Sequence, residues 1–177
     1  TNLLIFTLYI SLLWGVYYNE DLIRGAYYDF KGLYYVYGKF NENFYLTFFN
    51  YDQLGHRQSP IFYILGSVIS DNQIILRVFY VHLFLLIPLY FYKALKITFK
   101  KIDKKNLKLI ASVILIFPTY RSYSIWPDPH LLGTLFFIIS IYYFLKFKFF
   151  NNKLKYSLSN IFWLALASYV SPNFGVF

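Results

Sequence analysis

Cysteine is absent from the 177 residues. That excludes a disulfide framework, a thiolate metal site and a cysteine nucleophile. Methionine is absent too, even at position 1, and the chain begins and ends inside apolar runs. A piece of a longer protein is expected. Charged residues make up only 14%, against about 25% in a soluble domain. No glycine-rich phosphate loop, Walker motif or serine-nucleophile elbow occurs, so a nucleotide-using cytoplasmic domain is not expected. What is abundant is apolar: 58% hydrophobic and 25% aromatic residues. They come in runs, and several segments lack the polar face that a helix of a soluble domain needs. The expected fold class is an all-α polytopic membrane protein.

A helix needs about 20 mostly apolar residues to cross a bilayer, with a range of roughly 17–25. About five transmembrane helices are expected, near residues 3–18, 74–97, 107–119, 131–147 and 157–173. The first has no basic start and no small-residue cleavage site, which argues against a signal peptide. Residues 19–73 form a loop region rich in tyrosine and charge, with interface-lying amphipathic helices expected in it. Residues 60–70 are apolar but too short to span. Between the third and fourth spans lies a polar, proline-containing break at 120–130.

The net charge is +9, which in a soluble protein would suggest nucleic acid. Here the location of the charge explains it. Lys93, Lys96, Lys100, Lys101, Lys104, Lys105 and Lys108 form one cluster, and Lys146, Lys148, Lys153 and Lys155 a second. Both flank apolar runs, the pattern of cytoplasmic loops. If residues 60–70 do not cross, both clusters fall on the cytoplasmic side and every acid but Asp103 falls on the other. Residues 19–73 and 119–130 are therefore expected outside the cytoplasm. The expected partner is the lipid bilayer, with no nucleic acid.

The outer face then collects Glu20, Asp21, Asp29, His56, Arg57, Arg77, Arg121, Asp128 and His130. Ionisable groups are expensive in hydrocarbon, so those at membrane depth tend to be functional; the alternative is ordinary loop residues at span ends. A carboxylate in Asn19-Glu20-Asp21 could act as a general base or serve as a helix cap. His56 and Arg57 could hold a phosphate or form a proline-ended turn. Arg77 could reach a phosphate or snorkel to the interface. His82 sits inside a span, packed or functional. Arg121, Asp128 and His130 lie near one membrane edge, where Trp126 and the tyrosines fit an interface belt. A histidine with acids could bind a metal, but the spacing is not specific to one. No cofactor is expected, and a divalent metal is left open.

The order of these features resembles the GT-C superfamily of integral-membrane glycosyltransferases, in particular its protein O-mannosyltransferase-like and aminoarabinose-transferase-like members. The matching pieces are Asn19-Glu20-Asp21, then HRQSPIFYIL at 56–65 and LRVFYVHLFLLIPLYFYKAL at 76–95. They continue with FPTYRSYSIWPDPHLLGTLFFIISIYYFLK at 117–146 and ALASYVSPNFGVF at 165–177. Together they cover nearly the whole chain. The acidic pair is reversed relative to the family's usual Asp-Glu, and one proline stands at 56–60 where two are common. The family's proteins are longer, so further spans are expected beyond this stretch. The resemblance implies transfer of a sugar from a polyprenyl-phosphate donor to an acceptor at the non-cytoplasmic face, in a bacterial inner membrane. Glu20, Asp21 or Asp29 would be the catalytic base. His56, Arg57, Arg77, Arg121, Asp128 and His130 would bind substrate, the arginines meeting the lipid phosphate. The rival expectations are a transporter or flippase of lipid-linked sugars, and a non-catalytic polytopic membrane protein.

Overall fold

The computed structural model describes residues 2–55, 59–150 and 153–175. It is all-helical, with no strand among the described residues. Ten α-helices follow in order: α1 Asn2–Tyr17, α2 Ala26–Glu42, α3 Phe44–Phe49, α4 Ile61–Ile69, α5 Gln73–Phe84, α6 Leu86–Thr98, α7 Lys104–Ser112, α8 Pro118–Ile125, α9 Pro129–Phe149 and α10 Leu154–Val170. Short 3₁₀ turns lie at Tyr51–Leu54, Val113–Ile116 and Pro172–Phe174.

Among the described residues two helices are long and apolar enough to cross a membrane: the continuous α5–α6 rod Gln73–Thr98 and α9. Only 39% and 33% of their most apolar stretches are buried. Most of that apolar surface therefore faces outward, unlike a core helix in a soluble protein. Further large apolar side chains lie exposed on α10, among them Leu154, Leu158, Ile161 and Phe162. Patches of this size are unfavourable in water and suit hydrocarbon. α1 is apolar but 16 residues long, or ~24 Å at ~1.5 Å per residue. α7 gives way to its 3₁₀ turn and ends at the extended residue Phe117, so residues 107–119 are not one helix.

Residues 19–73 are mainly helical. In α2 the buried positions are Ala26, Phe30, Leu33, Val36, Tyr37 and Phe40, the three- and four-residue spacing of an amphipathic helix. That stripe packs on α4. The close approach requires glycine at 66, because a Cβ there would enter the Tyr37 ring. Tyr80 of α5 donates a hydrogen bond to the Phe62 carbonyl at 2.8 Å, tying α4 to the first long rod.

The hydrogen-bond ladder of that rod is broken for a local reason. Pro88 has no N–H to give the carbonyl of Phe84, and its ring crowds that turn. The helix is interrupted at Leu85. The freed Phe84 carbonyl accepts from the Tyr120 hydroxyl of α8 at 2.9 Å, which repairs a defect that would be costly away from water. α9 and α10 form a tightly packed pair, and α9 packs on α6. Asn160 joins them by donating to the Ser140 carbonyl and hydroxyl at 3.0 and 2.9 Å.

Candidate functional site at the end of α1

α1 ends in a left-handed cap. Asn19 has φ 56°, a region asparagine tolerates better than most residues. The Glu20 N–H bonds back to the Gly15 carbonyl at 2.9 Å and that of Asn19 to Val16 at 3.3 Å, the paired bonds of a Schellman motif. Asn19 thus closes α1 instead of opening the next helix. The reversal turns Glu20 back against its own helix. A Cβ at Gly15 would stand 2.5 Å from Ile125 Cδ1 and 2.8 Å from Glu20 Oε2, so only glycine lets α8 and the Glu20 carboxylate approach so closely.

Arg121 and Glu20 meet across 101 residues of chain. Arg121 Nε donates to Glu20 Oε1 at 2.7 Å and Nη2 to Oε2 at 2.8 Å, a bidentate fork. Arg121 Nη1 also reaches the Ser11 hydroxyl at 2.9 Å. Both carboxylate oxygens of Glu20 are therefore engaged. The Glu20 carbonyl accepts from Trp126 Nε1 at 3.0 Å.

Arg77, 3% exposed, turns inward. Its Nε donates to the Ile125 carbonyl at 2.8 Å, Nη1 to Asn19 Oδ1 at 2.8 Å and Nη2 to the Val16 carbonyl at 3.0 Å. Its Cζ lies 3.6 Å from the centre of the Trp126 ring, a cation–π geometry. Trp126 is buried beneath it against Tyr27 and Phe30, not in an interface belt. Together Arg77 and Arg121 fasten the end of α1 to α8. Nothing near Ser11, a hydroxyl inside an apolar run, marks it in the sequence as an arginine partner. Ser122, which accepts from the Leu22 N–H at 2.9 Å, is equally unmarked.

Asp21 has a different setting. Its Oδ2 accepts from the Tyr27 N–H at 3.1 Å. Its Oδ1 is buried and has no hydrogen-bond partner among the described residues. Asp128 caps α9, accepting from the His130 N–H at 2.7 Å, as the flanking Pro127 and Pro129 favour. The break there is short, since α8 already occupies Pro118–Ile125. Burial raises the Asp128 carboxyl above the ordinary range; the His130 backbone bond and His130 charge oppose this, and Asp29 adds to it. Burial likewise raises the Tyr123 hydroxyl, and the fields of Asp128, Asp29 and Asp21 push it further. Tyr123 therefore feels the fields of all three carboxylates. Asp29 is exposed in the first turn of α2. His130 Nδ1 lies 2.7 Å from the Ser171 hydroxyl. His56 and Arg57 lie outside the described residues. Among the described residues no three histidine or acidic side chains converge as a metal-holding group.

No protein-family model, curated protein or solved structure matches this chain.

Proposed function

We propose that this chain belongs to a lipid-linked-sugar-dependent glycosyltransferase of the GT-C type. In this reading α1, the α5–α6 rod, α7 with its 3₁₀ turn, α9 and α10 are the five spans. Residues 19–73 and 119–130 face away from the cytoplasm, with α2 and α3 lying at the interface. The shorter spans cross with local thinning of the bilayer.

The observation that carries the proposal is the Asp21 carboxylate, one buried oxygen of which has no hydrogen-bond partner among the described residues, and whose field reaches Tyr123 together with those of Asp29 and Asp128. Of the three candidate bases, Glu20 has both oxygens held by Arg121, and Asp29 is exposed. Asp21 is the base in this mechanism. It takes the proton of the acceptor hydroxyl as the oxygen attacks the anomeric carbon. The bond from that carbon to the donor phosphate breaks, the polyprenyl phosphate leaves with the electron pair, and the sugar carbon inverts. Arg77 and Arg121 are positioning residues that hold Asn19-Glu20-Asp21 in its turn. Of the three arginines proposed for the donor phosphate, Arg57 remains in that role, where a cation stabilises the leaving group.

Transfer from a radiolabelled polyprenyl-phosphate sugar, assayed in membranes holding the full-length protein, tests this. Loss in Asp21→Asn with activity kept in Asp29→Asn supports it. Full activity in Asp21→Asn, Glu20→Gln and Asp29→Asn, each tested singly, ends it.

A further inference from the structure

We propose that the cleft between α1, the α5–α6 rod and α7 binds an acyl chain of an anionic phospholipid, whose phosphate rests on Lys104, Lys105 and Lys108. The inference depends on the membrane reading and not on sugar transfer.

The cleft encloses about 570 Å³, with Ile5, Phe6, Leu85, Leu89 and Leu115 among its walls. That size and lining suit an apolar ligand. Two of its polar groups, His82 and Tyr9, are paired with each other. His82 Nδ1 lies 2.7 Å from the Val78 carbonyl, which can only accept, so Nδ1 carries the proton. His82 Nε2 then accepts from the Tyr9 hydroxyl at 2.8 Å. Both ring nitrogens thus have partners within the wall.

At one end the lining changes. A second hollow of about 510 Å³ shares Asn2 and Lys108 with the cleft and adds Leu3, Lys104 and Lys105. None of the three lysines makes an ion pair among the described residues. The neighbouring acid, Asp103, is committed to the Lys105 N–H through Oδ2 at 3.2 Å. A long apolar groove that opens onto three unpaired ammonium groups matches a molecule with a hydrocarbon tail and an anionic head. A free phosphate would leave the groove empty. A helix from elsewhere in the protein would leave the lysines unmatched.

The test is retention of lipid by the full-length protein in nanodiscs of equal phosphatidylglycerol and phosphatidylcholine, read by native mass spectrometry. Phosphatidylglycerol is expected to be retained over phosphatidylcholine. Each basic residue near an anionic lipid is worth about fivefold, so Lys104→Ala/Lys105→Ala/Lys108→Ala together should lower that preference by roughly a hundredfold. Lys108→Glu alone should reverse most of it, and serves if the triple variant unfolds. Leu89→Trp, which fills the cleft and leaves the charges, should lower retention of both lipids. Lys153→Ala/Lys155→Ala, in the second lysine cluster, should change nothing. Equal retention of the two lipids, an equal loss in the Lys153/Lys155 variant, or a polypeptide segment crosslinked into the cleft would overturn the proposal. Sugar transfer is not the readout, so this result and that of the transferase assay are separable.

Discussion

The arginine-bound end of α1 and the acidic residues beside it meet in the stretch 19–21, yet they are built on opposite terms. At the first, each nitrogen of Arg77 has an acceptor, and Glu20 is held at both oxygens by Arg121. At the second, Asp21 keeps a buried oxygen without a partner among the described residues, and Asp128 is a buried carboxyl raised above its ordinary range. Buried polar groups are nearly always hydrogen-bonded, so an orphan asks for an explanation such as a catalytic role. The first region has the chemistry of a structural fastening. The second holds unspent hydrogen-bonding capacity, which is what a reacting site needs.

The sharpest way to break this contrast is to neutralise the two adjacent acids separately. Asp21→Asn should lower sugar transfer by about 10²- to 10⁴-fold, the usual contribution of a general base, with thermal unfolding nearly unchanged. Glu20→Gln should do the reverse, lowering the unfolding temperature and leaving the pH profile of residual transfer intact. If the two variants exchange phenotypes, the division between fastening and reacting carboxylate is wrong.

Arg77→Ala is next in size. It takes a donor from the Val16 and Ile125 carbonyls and from Asn19 Oδ1, and removes the cation from Trp126. A loss of about 3 kcal/mol or more in folding stability is expected, read by unfolding in detergent. Arg77→Lys should recover little, because one ammonium cannot reproduce three divergent bonds and a stacked plane.

The same reasoning extends to the other face of α8. Tyr120→Phe leaves the Phe84 carbonyl without its donor, at a cost of about 1–3 kcal/mol. Pro88→Ala restores an N–H to that carbonyl, so the double variant should regain most of the loss. Failure of that rescue would mean that Tyr120 acts through packing alone.

The smallest effect is expected at Asp128. Its carboxyl is held above the unfolded value of about 3.9, so the folded chain retains a proton that the unfolded chain has released. Stability is full below that value and falls as pH rises through the raised folded value. Asp128→Asn keeps a good helix cap and should flatten this decline, measured as unfolding temperature against pH. An unchanged slope would place the buried charge elsewhere.

Sequence pattern accounts for several of these elements. Apolar runs mark the α5–α6 rod and α9, and the three- and four-residue spacing marks the buried stripe of α2. Pro127 and Pro129 mark the break before α9, while Pro118 opens α8 inside a stretch that reads as non-helical from its polar residues. These are local properties, set by backbone sterics and by burial of one face. The reach of Asn19-Glu20-Asp21 was legible as an acidic pair and no further.

What the amino-acid order determined by itself is an all-helical chain with outward apolar surface and lysines gathered at particular loops. Which carboxylate is tied by an arginine at both oxygens and which keeps one oxygen without a partner among the described residues was decided by tertiary structure alone. Glu20 meets Arg121 across 101 residues and Arg77 reaches α1 across 58 to Asn19. Adjacent acids have the same local propensities, so no window of sequence separates them. Their difference arises only when α8 folds against the end of α1 and supplies a guanidinium to one oxygen pair and none to the other.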